Sequence, residues 1–206
     1  ARPGGTEQEP PITESQVAEL GERVQVLLDA ERFVEALDLL DAARGRAEDP
    51  ELIYDLSLRL AMARFFAGSF SAAAQLFAEV GALAAVRYGE DDQDVAVTRY
   101  YLAQCRDELG DISGALEAFR DVAEAAFDPS DKGAVDRHLD ALWSLMRLYA
   151  VTRRRDRLFE AAERMEKGIR RYRPNDAEPM LAELRAYLAR LMRLLDSDGE
   201  ADPTGS

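Results

Sequence analysis

Residue types that carry out catalysis or bind metals are scarce in this sequence. Among its 206 residues there is one cysteine, Cys105, and one histidine, His138. A single cysteine excludes an intrachain disulfide, and a single histidine excludes histidine-centred metal sites of the usual spacing. There is no glycine-rich phosphate loop, and no pair of carboxylates is singled out for acid–base work. We therefore expect no catalysis, no cofactor and no metal in this chain.

These two rare side chains have simple structural interpretations. Cys105 lies within a helical apolar pattern, which predicts a small buried hydrophobic residue and not a reactive thiol. His138 is flanked by Asp136 and Asp140, which could together help to hold a metal. We expect instead that His138 lies on a solvated helix face.

Long apolar runs are also missing. No segment approaches the roughly 18 residues that a membrane-spanning helix needs, and there is no basic-then-apolar secretory leader. These absences predict a cytoplasmic protein without a membrane contact. The sequence begins with Ala1 and not with Met, which suggests a piece of a longer protein or the removal of a tag.

Basic residues are outnumbered, and the net charge of −14 argues against nucleic acid as a partner. The distribution is uneven, because Arg147 to Arg173 contains ten basic and four acidic side chains. This segment is either a solvated helix surface or a patch for an anionic partner, since arginine pairs well with carboxylate and phosphate. The patch would consist of Arg153, Arg154, Arg155 and Arg157.

The 47% of hydrophobic residues predicts a folded chain, and they recur with a fixed period. Gly68 and Gly110 are 42 residues apart. Counted from each glycine, the second residue is Phe or Ile, the fifth is Ala and the ninth is Phe. A leucine–alanine pair comes eight residues before each glycine. Repetition of this length indicates stacked structural units.

The packing of two helices explains this spacing. Each glycine would end a first helix by adopting the positive φ of a tight exit. Phe70, Ala73, Phe77 and Val80 would then form one apolar stripe on the second helix. Alanine at the crossing allows the two backbones to approach closely. The motif therefore predicts a helical hairpin.

Weaker copies and capping signals extend the pattern along the chain. Thr13 with Gln16, and Asn175 with Glu178, fit capping boxes, and Asp49 before Pro50 fits a helix start. We expect no strand. The predicted helices are 14–29, 33–46, 50–67, 70–88, 93–109, 112–127, 132–152, 155–172 and 176–195.

This organisation resembles the tetratricopeptide repeat (TPR) family. The alanine–phenylalanine element of that family is matched at Ala73/Phe77 and Ala115/Phe119, and approximately at Ala36/Leu40 and Ala161/Met165. The 42-residue period and the acidic turn at 88–96 are similar to the long repeats of kinesin light chains and of bacterial relatives. The resemblance implies an all-α, right-handed superhelix (α-solenoid) of about four helical hairpins and a C-terminal capping helix. The alternative is an unrelated helical bundle.

The resemblance also implies a function. Such a superhelix holds a peptide or protein segment in a concave groove lined by the first helix of each pair. Some of these side chains could instead pack between repeats, Trp143 and Met146 above all. The carboxylate clamp of chaperone-binding members cannot be assembled, because Asn175 is the only asparagine and lies outside the first helices. The groove candidates are Met62, Phe65, Tyr100, Gln104, Asp107, Trp143, Met146 and Arg147.

The last helix carries a wide apolar stripe, whereas a terminal cap should be polar on its outer face. We therefore expect contact with a second copy, as a homodimer, or with another part of the parent protein. The residues concerned are Tyr187, Leu191 and Leu194. The predicted domains are a flexible linker at 1–13, the repeat domain at 14–195 and a disordered tail at 196–206.

Two function classes remain open. The first is a protein–protein interaction module, regulatory within a larger protein. Its arginine-rich, lysine-poor repeats resemble those attached to actinobacterial Ser/Thr kinases and transcriptional regulators. The second is a sensor domain that binds a small molecule or a signalling peptide. An apolar pocket around Phe65, Tyr100 and Trp143 would favour the sensor, and an open groove would favour the interaction module.

Overall fold

A computed structural model describes residues 9–197 of the chain, and within this range every regular element is helical. The elements follow one another with short connections. Their bounds are α1 Glu14–Asp29, α2 Phe33–Gly45, α3 Pro50–Phe66, α4 Phe70–Tyr88, α5 Gln93–Glu108, α6 Ile112–Glu124, α7 Lys132–Val151, α8 Arg155–Tyr172 and α9 Ala177–Ser197.

The all-α prediction is confirmed, and most helix bounds agree with the sequence to within a residue or two. Two ends differ. Helix α6 stops at Glu124, so that Phe127 lies in the following loop. The backbone leaves the helical region at the C-cap residue Ala125, which has φ −59° and ψ 141°. Helix α9 begins at Ala177, after a short 3₁₀ turn at Pro174–Asp176 that replaces the predicted helix start at position 176.

The capping predictions at the first and third helices are confirmed. Thr13 and Gln16 form a reciprocal capping box at α1. The Asp49 side chain accepts hydrogen bonds from the backbone N–H groups of Glu51 and Leu52, with Pro50 in the first turn of α3. These acceptors satisfy backbone donors that a helix start leaves without an intrahelical partner.

The chain divides into two compact units at the junction of Leu109 and Gly110. In the first unit, each of α1 to α4 packs against the next helix, and α1 also contacts α3. The Tyr54 hydroxyl on α3 donates a hydrogen bond of 2.8 Å to the Asp94 carboxylate on α5. First helices of successive hairpins are therefore neighbours. The largest fully buried side chains of this unit are Leu40, Leu56, Leu60 and Phe77.

The second unit has the same plan. Helices α6 to α9 pack in sequence, and α7 also contacts α9. A layered core results, in which α7 supplies the most buried residues. The largest fully buried side chains of this unit are Phe119, Leu142, Leu145, Met146, Leu148, Leu158, Ile169 and Leu181.

A left-handed residue stands two positions before each of the helices α2, α4, α6 and α8. Gly68 and Gly110 have φ values of 74° and 76°, as predicted. Glu31 and Arg153 occupy the equivalent positions with φ of 57° each, although neither is a glycine. The N–H groups of Arg32, Ser69 and Arg154, one residue further on, all donate hydrogen bonds of 2.8 Å back into the preceding helix. The hairpin turn therefore keeps one geometry while its sequence changes.

Part of the predicted N-terminal linker is packed against α2. Ile12 is buried, and its N–H donates a 3.2 Å hydrogen bond to the carbonyl of Arg46. The Arg46 guanidinium also contacts the Glu9 carboxylate at 3.0 Å. Residues 1–8 of the predicted linker and 198–206 of the predicted tail lie outside the described residues.

Candidate functional site

In the first unit, the predicted groove residues of α3 lie on an aromatic cluster. Met62 and Phe65 are half-buried and pack against the core. The Phe65 ring meets Phe70 and Tyr101 edge-on, with centroid distances of 5.5 and 5.1 Å. Phe66, the next residue, is half-exposed and touches Phe65 at 5.7 Å. Phe65 is therefore held in place by aromatic rings.

The α5 candidates lie on the same cluster. The Tyr101 ring is stacked on Phe77 at 5.3 Å with an interplanar angle of 12°. Tyr100 meets Tyr101 edge-on at 5.3 Å, and the Gln104 side-chain amide donates a 2.8 Å hydrogen bond to the Tyr100 hydroxyl. Tyr100 and Gln104 thus form a partly exposed pair on a rigid base, and Asp107 lies one turn further along α5.

Tyr101 was not among the predicted site residues. It contacts Phe65, Phe77 and Tyr100. The adjacent tyrosines at 100 and 101 were the available signal, because two large rings on consecutive residues of a helix point in different directions, one of them toward the core.

In the second unit, the predicted groove residues of α7 are mostly covered. The Trp143 ring is stacked on Tyr187 of α9, with centroids 4.3 Å apart and planes 10° apart. Met146 is fully buried, so this side chain does not reach an accessible surface. Arg147 is half-buried. Trp143 and Met146 therefore pack between helices, the alternative that the sequence left open.

The arginine patch is exposed but partly paired within the chain. Arg153, Arg154, Arg155 and Arg157 are all exposed in and after the α7–α8 turn. The Arg155 guanidinium contacts Asp196 at 3.3 Å, and Arg157 contacts Glu160 at 2.7 Å. Hydrogen bonding and the charge of Glu160 raise the pKa of Arg157. Local carboxylates thus already balance part of the positive charge.

The three residues predicted for self-association differ in exposure. Leu191 is buried and Tyr187 is stacked on Trp143. Only Leu194 is largely exposed, at 60%. Most of the apolar stripe of α9 thus covers the preceding helices of its own unit.

The cysteine and the histidine are both packed. Cys105 is fully buried, and burial raises the pKa of its thiol to about 11, with the negative charge of Glu108 adding to this effect. His138 is not on a solvated face, contrary to our expectation. The centroid of its ring lies 4.9 Å from the Phe127 ring centroid and 6.2 Å from the Tyr172 ring centroid. Burial and the charge of Arg164 lower the pKa of His138, whereas a hydrogen bond with Ala123 opposes this shift.

Metal-binding clusters and membrane-spanning helices are both missing from the described part of the chain. Within residues 9–197, no three side chains of the histidine, cysteine, aspartate or glutamate type come together as they would around a metal ion. In the same range, no helix has the length and apolar character needed to span a membrane.

Comparison with solved structures identifies the fold. A candidate kinesin light chain of Podosopora anserina, with nearly identical TPR-like repeats, superposes with a TM-score of 0.68 and 19% identity. The match covers 91% of this chain and 90% of that one. This chain has the TPR-like repeat fold. No protein-family model and no curated protein matches the sequence.

Two further structures agree with the TPR-like assignment. A second structure of the Podosopora anserina repeat protein gives a TM-score of 0.61 at 16% identity, covering 91% of this chain and 98% of that one. BtubC (BKLC) from P. vanneervenii gives a TM-score of 0.60 at 17% identity, and the match covers 93% of this chain and 84% of that one. At these identities the likeness establishes the TPR-like fold, an α-solenoid class of stacked helical hairpins, and leaves the function to be argued from the residues.

Proposed function

We propose that this protein is a protein–protein interaction module that binds a peptide or protein segment along the first helices of its hairpins. In the first unit these helices are α1, α3 and α5, and the predicted groove residues lie on α3 and α5. The observation that carries the proposal is the half-buried pair Tyr100 and Gln104, fixed on the aromatic cluster around Phe65 and Tyr101, together with the half-buried Met62 on α3. TPR-like repeats commonly serve as interaction surfaces, which supports the same conclusion.

The chemistry of this surface suits a peptide. Tyrosine and methionine are enriched in protein interfaces, and tyrosine is among the residues that dominate binding energy. The Gln104 amide, already bonded to Tyr100, retains acceptor and donor capacity for the backbone of a bound segment. Because ring contacts hold Tyr100 in place, little side-chain freedom is lost on binding.

We also propose that the module is a regulatory part of a larger protein, such as a Ser/Thr kinase. Support comes from the arginine-rich, lysine-poor composition, in which Lys132 and Lys167 are the only lysines. Sequencing the complete reading frame around this region tests the proposal directly, and a reading frame that encodes no other domain would overturn it.

Selection of peptides followed by matched variants tests the interaction. A random peptide display library is panned against the protein, and dissociation constants of selected synthetic peptides are measured by calorimetry. We expect about micromolar affinity for a single groove peptide. The double variant Tyr100→Ala/Gln104→Ala should weaken binding at least tenfold.

The control is Leu83→Ala/Val86→Ala on α4, where the two side chains are 57% and 90% exposed. This variant should bind as the wild type does. Equal weakening by both double variants would point to a global effect, and unchanged binding by both would place the site elsewhere. If no peptide is selected while a small metabolite raises the melting temperature, the module is a ligand sensor.

A further inference from the structure

The second unit contains an open cleft of about 460 Å³ between α7, α8 and α9. Of the groove residues predicted from the sequence, only Trp143 lines this cleft. The residues that line it are Asp136, Leu139, Asp140, Trp143, Met165, Met180 and Glu183.

The floor of this cleft is apolar and rigid. Leu139 and Met165 are each 4% exposed and belong to the core of the unit. Trp143 is held by its stack on Tyr187, 4.3 Å away. Met180, at the start of α9, is half-buried and borders the opening. The floor can therefore cover an aliphatic chain without rearranging.

The rim carries charge of one sign. Asp136 and Asp140 are one turn apart on α7, and Glu183 faces them from α9. All three side chains are exposed, and the described lining includes no basic side chain. Arg173 is paired with Asp136 from outside the lining. Arg173 balances the charge of Asp136, so Glu183 is the carboxylate that favours a cation at the mouth.

We infer that this cleft binds an arginine side chain presented by a basic peptide segment of a partner protein. An arginine has an aliphatic stem that fits over Leu139 and Met180, and a guanidinium that forms charge-assisted hydrogen bonds with carboxylates such as Glu183. The overall charge of −14 adds long-range attraction for a basic partner. The inference rests on the proposed function, since it names the chemistry of a peptide that such a module would bind.

Fluorescence anisotropy with a defined probe tests the inference. The probe is a labelled decapeptide that contains two arginines, each flanked by leucines. The matched probe carries citrulline in place of both arginines. Citrulline has the same shape as arginine without the charge. We expect the arginine peptide to bind at least tenfold more tightly than the citrulline peptide. We expect its affinity to fall between about 50 and about 300 mM NaCl, because salt screens exposed charges.

Charge-removing variants locate the binding. Glu183→Gln keeps the shape of an exposed side chain and should weaken binding of the arginine peptide at least fivefold. Glu117→Gln, an exposed carboxylate on α6 outside the cleft, should change the affinity by less than twofold. Met180→Ala should weaken both peptides equally, because it removes contact with the stem or with a neighbouring leucine and not with the charge. Circular dichroism melts confirm that every variant remains folded.

The outcomes separate this inference from the proposed function. Equal affinity for the two peptides, or full affinity in Glu183→Gln, overturns the arginine cleft. If Glu183→Gln loses the arginine peptide while Tyr100→Ala/Gln104→Ala still binds the display-selected peptides, the cleft stands alone and the α3–α5 surface fails. Self-association in sedimentation that the cleft variant abolishes would make a second copy the occupant and would overturn the assignment to a partner peptide.

Discussion

Trp143 on α7 and Tyr187 on α9 form a parallel stack, with ring centroids 4.3 Å apart and planes 10° apart. The guanidinium of Arg190 also lies over the Tyr187 ring, 5.4 Å from its centroid. The stack joins the final helix to the preceding hairpin, in the unit where α9 also buries Leu181, Leu184 and Leu191. It determines how much of the α7 surface remains accessible.

Removing the Tyr187 ring should expose the only tryptophan of the chain. We expect Tyr187→Ala to shift the Trp143 emission to longer wavelength. We expect it to lower the free energy of unfolding by about 0.5–1.5 kcal/mol beyond the loss of buried area, the usual worth of an aromatic pair. Leu194→Ala on the same helix, where the side chain is 60% exposed, should leave both measurements unchanged. An unshifted emission in Tyr187→Ala would contradict the stack.

At the turn residues with positive φ, replacing glycine should lower the free energy of unfolding, and introducing glycine should raise it. Gly68 has φ 74° and no atom within 4 Å of an added Cβ, so Gly68→Ala should cost about 1–2 kcal/mol through backbone strain alone. Arg153→Gly and Glu31→Gly relieve the same strain and should stabilise by about 0.5–1 kcal/mol, after the greater chain entropy of glycine is subtracted.

Gly45, the last residue of α2, provides the control for this series. An added Cβ there also meets no atom within 4 Å, but its φ is not positive. Gly45→Ala should therefore stabilise by roughly 0.5–1 kcal/mol, according to helix propensity. Urea denaturation measures all four changes. The same sign for Gly68→Ala and Gly45→Ala would show that φ is not the controlling factor.

A close approach of α4 and α5 depends on Gly81. A Cβ added there would lie 2.7 Å from Oγ1 of the buried Thr98 and 3.3 Å from its Cβ. We expect Gly81→Ala to destabilise by about 1–3 kcal/mol through overpacking. In a double-mutant cycle, Thr98→Ala should reduce this cost, because it removes the nearest atom. Strictly additive free energies would place the cost of Gly81→Ala elsewhere than in this contact.

The environment of His138 predicts a dependence of stability on pH. Burial first, and then the charge of Arg164, lower the pKa of His138 below its ordinary value of 6.5. Well above pH 6.5 the histidine is neutral in both the folded and unfolded states, so its contribution is constant there. As pH falls below 6.5 the unfolded state binds the proton more readily, and stability is lost down to the folded-state pKa.

The measurement compares wild type with His138→Gln in thermal melts between about pH 7.5 and about pH 5.5. The melting temperature of the wild type should fall more steeply with decreasing pH. Parallel slopes for the two proteins would mean that the pKa of His138 is the same in the folded and unfolded states.

Repetition and local chemistry were sufficient to predict the helices. Thr13 and Asp49 cap helices because their side-chain oxygens accept hydrogen bonds from nearby N–H groups, a relationship confined to a few residues. Gly68 and Gly110 end helices for an equally local reason. The positions of Glu31 and Arg153 could have been inferred from the repeat alone, because they too precede the second helix of a pair by two residues.

The candidate sites were predictable only in part. Tyr100 and Gln104 remain accessible, as the helical spacing indicated. Met146 proved fully buried, on a helix that packs against α6, α8 and α9. His138 meets Phe127 and Tyr172, which come from a loop and from another helix.

The sequence by itself determined which residues form helices, where most of the helices start and stop, and that the helices pair as repeats. These features depend on hydrogen bonds and apolar periods within one or two turns of chain. Only the tertiary structure decided that Tyr187 covers Trp143, and that Asp140 and Glu183 border one cleft. Such contacts join residues more than 40 positions apart, and they depend on the packing angles of whole helices, which a single helix period does not specify.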